Sequence, residues 1–484
     1  MSTSFDPADL RTDLFIDGAW RKATGSATFP VENPATHEII AHVADGSPAD
    51  AELAIQAAGR AQAEWGKSTP RERADILRRA FDLVLANADR LAAIMTAEMG
   101  KPLAEAKGEV AYGAEFLRWF SEEAVRIGGD STTSVDRSTR ILITQEPVGP
   151  CVLVTPWNFP LAMGARKIAP AVAAGCTMVF KPAELTPLTS LALADIFRQA
   201  GLPDGVLNVV PTTKASTVVG PWMSSGIARK VSFTGSTEVG KLLLRQASDN
   251  VMRSSMELGG NAPFIVLADA DIEKAVDGAL KAKMRNMGEA CTAANRFFVH
   301  RSVVEEFSEK LAKKLSELKV GDGAASGNDV GPLIEQKGLD KVESLVADAV
   351  AKGARILTGG NRPDGPGYFY NPTVLVDVPK DALLMSTEIF GPVAAITAFD
   401  SEDEVIKLAN DTDWGLVGYV FTEAMDKALR FSTELEVGMV GVNTGLVSNP
   451  TAPFGGVKQS GLGREGGKTG IEEFLETKYT AIAV

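Results

Sequence analysis

Three short stretches carry side chains able to make and break bonds. In MGEACTAANRFFV, Met287 to Val299, Cys291 is one of only three cysteines, the others being Cys151 and Cys176. A free cysteine is either a small buried hydrophobe or, as a thiolate, a nucleophile. Nucleophilic work calls for a base, and His37, His42 and His300 are the only histidines in the chain, so the base is expected among other residue types. Glu257, in MELGGNAP, stands at the end of an apolar run of strand character beside Gly259 and Gly260, where ligand crevices form in parallel sheets. A carboxylate partly buried there is either a general base with a raised pKa or one half of a salt bridge. Asn158, in VTPWNFPLAMGARK, lies between Pro156 and Pro160. Its amide either donates to an oxyanion or fills a proline-bounded turn.

A fourth stretch, SFTGSTEVGKLLL, places Gly235 and Gly240 directly after a strand pattern and at the opening of a helix. Backbone N–H groups and the helix dipole hold phosphate at such a place, although a tight packing turn has the same signature. Leu242 follows Lys241 where a P-loop needs Ser or Thr for magnesium, which removes the nucleoside-triphosphatase reading. The G-x-G-x-x-G turn of ordinary dinucleotide folds is also missing.

The elements that must position these groups belong to a chain of 484 residues with 45% hydrophobic content, more than one core supports, so two or three domains are expected. Lys and Arg number 49 against 62 Asp and Glu, and the net charge of −13 disfavours nucleic acid and anionic membrane as partners. The first residues carry no basic segment followed by an apolar run, and no apolar stretch is long enough for a bilayer, so a cytoplasmic location is expected. The three cysteines show no CxxC spacing, which argues against a disulfide framework and against a zinc site; no metal is expected.

Thr69, Pro70 and Glu72 spell a capping box, and amphipathic spacing predicts long helices over most of 47–127, ended by Gly128 and Gly129. STRILITQEPVG then reads as a strand standing apart. From residue 150 apolar β-rich runs such as CVLVT and KVSFT alternate with helix-length amphipathic runs, and a second such series starts at PFIVL. That alternation is the mark of βαβ units and parallel sheets.

Taken together, PWNFP, FKPAE, FTGSTEVG, MELGGNAP, GEAC, EIFGPV and PFGGVKQSGLGREGG stand in the order and spacing of the aldehyde dehydrogenase superfamily, and the resemblance spans nearly the whole chain. It implies an α/β fold of two parallel-sheet domains plus a small β oligomerisation element. The NAD(P)-binding domain, Rossmann-like but without the usual turn, would take 1–127 and 148–258, the catalytic domain 259–460, and the oligomerisation element 128–147 and 461–484. A homodimer or homotetramer is implied.

The resemblance also assigns roles. Cys291 would attack an aldehyde, Asn158 and the Cys291 N–H would hold the oxyanion, and Glu257 would activate the hydrolytic water and, as a second role, help deprotonate Cys291. Lys167 matches a family lysine behind the active site. Thr155, Pro156, Trp157, Lys181, Glu184, Gly235, Ser236, Gly240, Leu258, Glu388 and Phe390 would contact the dinucleotide. Glu184 favours NAD over NADP, because it accepts from a ribose 2′-hydroxyl and repels a 2′-phosphate; NADP stays possible through Lys181. Glu289 stands where the family commonly has Gln; pointing inward it would raise the Cys291 pKa, and it is expected instead to face solvent or a cation. Arg166, Arg285 and Ser448 match the positions at which succinate-semialdehyde dehydrogenases hold the distal carboxylate of their substrate. Succinate semialdehyde is therefore the expected substrate, with glutarate semialdehyde as the alternative and a cofactor-independent cysteine hydrolase as a remote one.

Overall fold

Helices Pro48–Trp65, Pro70–Ala86, Ala88–Met99 and Leu103–Ala124 fill the region where the amphipathic spacing predicts them, in a computed structural model that describes residues 9–484. The complete capping box forms at Ser47, whose hydroxyl accepts from the Asp50 N–H while Asp50 accepts from the Ser47 N–H at 2.9 Å. At Thr69 one half forms: its hydroxyl accepts from the Glu72 N–H at 3.2 Å, and the longer Glu72 side chain stays in solvent.

Two large sheets follow. The first has the order Ala19–Arg21, Leu14–Ile16, Leu207–Val209, Met178–Lys181, Cys151–Val154, Lys230–Thr234, Arg253–Glu257, Gly461–Leu462. Its five central strands run parallel. Strands buried on both faces feed two cores, and alternate side chains of one strand take opposite sides. Cys151 and Leu153 thus pack with helices Pro70–Ala86 and Pro160–Ala174, whereas Val152 and Val154 pack with helices Pro48–Trp65 and Ala215–Ser224.

The second sheet has the order Arg355–Thr358, Thr373–Val376, Val393–Phe399, Ala294–His300, Ala262–Val266, Val417–Phe421, Met439–Val442, parallel except at its first pair. Residues 258–261 carry the chain from one sheet to the other. A third sheet joins Asp130–Thr133, Thr139–Pro147 and Leu475–Ala483. The last two pair antiparallel from Leu475 opposite Pro147 to Ala483 opposite Thr139.

LETKYTAIAV supplies the C-terminal strand of the third sheet, while the residues just before it pack elsewhere. Gly461 and Leu462 join the first sheet against Glu257 and Met256. A Cβ on Gly461 would fall 1.9 Å from the Met256 carbonyl oxygen, so the close approach depends on glycine. Among the described residues no helix is long and apolar enough to cross a membrane.

Candidate active site

Three strands of the first sheet release the chain at one edge. Cys151–Val154 runs into Thr155, Pro156 and Trp157; Lys230–Thr234 runs into Gly235 and Ser236; Arg253–Glu257 ends at Glu257 itself. A cavity of about 470 Å³ opens there. Pro156, Trp157, Asn158, Gly235, Ser236, Glu257 and Leu258 line one side, and Cys291, Glu388 and Phe390 come from the second sheet's connections.

Cys291 is half-buried on this wall, in the loop leading into strand Ala294–His300. Burial pushes its thiol up to about 12; Arg166 opposes the rise, and the Glu257 and Glu388 carboxylates add to it. Glu257 is 2% exposed, and neither carboxylate oxygen has a hydrogen-bond partner among the described residues. Burial first, then the nearby Glu465 carboxylate, push it well above the usual carboxylate range, against Arg166, Lys167 and Arg464. Its carboxylate is thus a stronger base than an ordinary glutamate. Asn158 Nδ2 donates one hydrogen to the Glu289 carbonyl at 3.0 Å. The same nitrogen carries a second hydrogen for a ligand in the cavity.

The surroundings fit a dinucleotide. Ser236 caps helix Thr237–Ser248, so an N-terminal dipole faces the cavity edge. Gly240 lies against Leu258, where a Cβ would fall 2.4 Å from Leu258 Cδ2. The Thr155 and Thr234 hydroxyls are buried without partners among the described residues, as donors and acceptors awaiting a polar ligand would be. Lys181, ending strand Met178–Lys181, donates to Glu184 Oε2 at 2.8 Å. Trp157 and Phe390 meet edge to face at 5.4 Å, and Glu388 accepts from the Gly260 N–H at 3.2 Å. Burial raises Glu388 to about 7, against the pull of Lys341.

A second cavity of about 470 Å³ lies beyond the Asn158–Phe159 turn and is lined by Tyr112, Phe159, Lys281, Arg285, Leu446 and Ser448 among others. Arg285 donates to Ser448 Oγ at 2.9 Å, and its guanidinium sits over the Phe159 and Tyr112 rings at 4.8 and 5.5 Å. Arg166 is not brought to either cavity wall. It is 1% exposed, ion-paired with Glu465 and stacked 4.3 Å from the Phe454 ring centre. Lys167 shares Glu465 and donates to Ser232 Oγ at 3.1 Å. Glu465 has no role in the sequence reading. Its signal was the neighbouring pair of cations on one apolar helix, which burial allows only beside an anion.

A model described as the aldehyde dehydrogenase family matches residues 20–480. The chain belongs to that family. It is similar to a succinate-semialdehyde dehydrogenase of Paenarthrobacter nicotinovorans, 57% identical over 92% of this chain and 99% of that protein. It is also similar to a glutarate-semialdehyde dehydrogenase of Pseudomonas aeruginosa, 50% identical over 98% of each. Among solved structures an E. coli NADP-dependent enzyme superposes with a TM-score of 0.98 at 47% identity, covering 99% of both chains.

Within this aldehyde dehydrogenase the expectation for Glu289 is corrected. The side chain is 1% exposed and turned inward, with Oε1 accepting from the Ile334 N–H at 3.3 Å. Burial lifts its proton affinity well above the usual carboxylate range, since the charged form is out of solvent. The cause is the backbone just before it, where Asn286, Met287 and Gly288 are all left-handed.

Proposed function

We propose that the chain oxidises succinate semialdehyde to succinate with NAD(P)+, using Cys291 as nucleophile. The observation that carries the proposal is the meeting of Cys291, Glu257 and Asn158 on one cavity wall, with the Arg285–Ser448 pair in the cavity beside it. The Cys291 thiolate attacks the aldehyde carbon; a C–S bond forms and the carbonyl π pair moves to oxygen. That oxygen is held by the free hydrogen of the Asn158 amide and by the Cys291 N–H. NAD(P)+, when bound, supplies the hydride acceptor that turns the resulting thiohemiacetal into a thioester. Glu257 then takes a proton from water as its oxygen attacks the thioester carbon, the C–S bond breaks, and the thiolate leaves.

Arg285 and Ser448 take the distal carboxylate, since a guanidinium flanked by two aromatic rings and a hydroxyl fits an anion at low cost in reorganisation. Arg166, already satisfied by Glu465, braces the wall between the helix Pro160–Ala174 and Phe454. Glutarate semialdehyde, one methylene longer, differs by only about 1 to 3 kcal/mol in such a pocket. NAD is preferred over NADP because Glu184 already engages Lys181, so a 2′-phosphate meets a carboxylate rather than a free ammonium. The third sheet, with Tyr479 and Ile482 exposed, is the surface for homodimer or homotetramer assembly.

The test is a panel of aldehydes with each dinucleotide, read as growth of reduced-nicotinamide absorbance. Succinate semialdehyde with NAD+ is expected to give the highest kcat/KM. Absence of dinucleotide reduction with every aldehyde would overturn the proposal.

A further inference from the structure

Between Arg285 and Cys291 the backbone takes three consecutive left-handed residues, Asn286 (φ 53°), Met287 (φ 54°) and Gly288 (φ 79°). Two of them carry side chains, and such a run persists only where surrounding contacts over-determine it. The contacts come from outside the loop. Glu105 Oε2, on helix Leu103–Ala124, accepts from the Asn286 N–H at 2.9 Å. The wholly buried Asn286 amide then donates to two backbone carbonyls, Asn158 at 3.1 Å and Glu289 at 3.0 Å.

Those two carbonyls belong to the two segments that supply the oxyanion donors. The Glu289 carbonyl also accepts from the Asn158 amide at 3.0 Å. The Asn158 carbonyl also accepts from Lys101 Nζ at 2.8 Å, and Lys101 is held by a buried ion pair with Glu109. Glu109 in turn accepts from the Leu161 and Ala162 N–H groups, at 3.0 and 3.1 Å, in the first turn of helix Pro160–Ala174. The turn that bears Asn158 and the loop that bears Cys291 come from different sheets, so nothing in the sheet ladders fixes their separation. Asn286 bridges them directly.

We infer that Asn286 is a positioning residue, held by Glu105, that sets the distance between the Asn158 amide and the Cys291 N–H. The inference rests on the aldehyde-oxidising reading above. A donor pair must meet the position of the developing oxyanion, and a displacement of either weakens the stabilisation. Neither Asn286 nor Glu105 touches the aldehyde carbon in this role; both act through backbone.

Asn286→Gly tests this cleanly, because glycine adopts the left-handed conformation without strain and only the bridging amide is lost. The variant is expected to lose about tenfold or more in kcat, with aldehyde KM and dinucleotide Kd within about twofold of wild type. The rate of Cys291 alkylation by iodoacetamide, which uses no oxyanion, should also stay within about twofold. Glu105→Gln keeps an oxygen that accepts from the Asn286 N–H and should stay within about threefold of wild-type kcat, whereas Glu105→Ala should follow Asn286→Gly. Three results would each overturn the inference: wild-type kcat in Asn286→Gly, alkylation falling in parallel with turnover, or Glu105→Gln as impaired as Glu105→Ala. If Glu105→Ala does not fold, Asn286→Gly alone decides. Wild type run beside them separates the two failures. An inactive wild type refutes the aldehyde-oxidising reading and the role of the bridge with it; an active wild type with an equally active Asn286→Gly refutes the bridge alone.

Discussion

The Arg285 guanidinium donates to the Ser448 hydroxyl at 2.9 Å, joining residues 163 positions apart in the chain on the wall of one cavity. Arg285→Ala removes a charge-assisted interaction with a substrate carboxylate, typically worth about 1.5–3 kcal/mol. The expected loss is roughly tenfold or more in kcat/KM for succinate semialdehyde. Butyraldehyde, uncharged and of similar length, should change far less. Steady-state rates on both substrates check this; equal losses would mean damage to the Cys291 loop and would remove the argument for an anionic substrate.

Glu184→Ser should move the dinucleotide preference toward NADP. The substitution frees Lys181 from its 2.8 Å partner and removes the charge that repels a 2′-phosphate. The ratio of kcat/KM for NAD+ to that for NADP+ is the readout. A wild type that already favours NADP+, or a ratio unmoved by the substitution, would refute the role given to Glu184.

Turnover should rise with pH across the neutral range. Burial raises the proton affinity of Glu257 well above that of an ordinary carboxylate and lifts the Cys291 thiol to about 12, so the ionised form of each grows as pH rises. The reactive form of a group below its pKa grows about tenfold per pH unit, and kcat should climb from about pH 6 toward pH 9. Glu257→Gln should flatten the part of that limb due to thioester hydrolysis. A wild-type profile that falls over this range would contradict the assignment.

Residue types made candidates of part of the site, and the resemblance to aldehyde dehydrogenases implied the roles. Cys291 was equally readable as a small buried hydrophobe and Glu257 as half of a salt bridge; the fold brings both to one cavity, where burial raises the proton affinity of each. The two parallel sheets followed from alternating β and helical patterns. The partners of Arg166 did not, because Glu465 is 298 positions from Lys167 and only the folded chain brings it to both cations. Glu289 was misplaced for a local reason: nothing in the letters RNMGE announces that two non-glycine residues turn left-handed and swing the next side chain inward. The pairing of Gly461 with the end of the Glu257 strand was not legible either, because it depends on one glycine lying against a backbone carbonyl, which a pattern of hydrophobicity does not encode.

Peroxide should inactivate the protein without closing an intramolecular disulfide on the nucleophile. Ala293 occupies the position two after Cys291, and Cys151 and Cys176 are buried, their thiols donating to the Gly149 and Phe474 carbonyls at 3.3 Å. Oxidation should stop at sulfenic or higher acids of Cys291. Peptide mapping of peroxide-treated protein checks this, and a Cys291 disulfide to either other cysteine would refute it.

The proposed reaction turns on a thioester at Cys291 whose hydrolysis depends on Glu257. Glu257→Gln, mixed with NAD+ and succinate semialdehyde and quenched after one turnover, tests it most directly by peptide mass spectrometry. One equivalent of reduced dinucleotide is expected in a burst, with a mass gain of one succinyl group on the peptide carrying Cys291. Dinucleotide reduction with no adduct on that peptide, or an adduct on another residue, would contradict it.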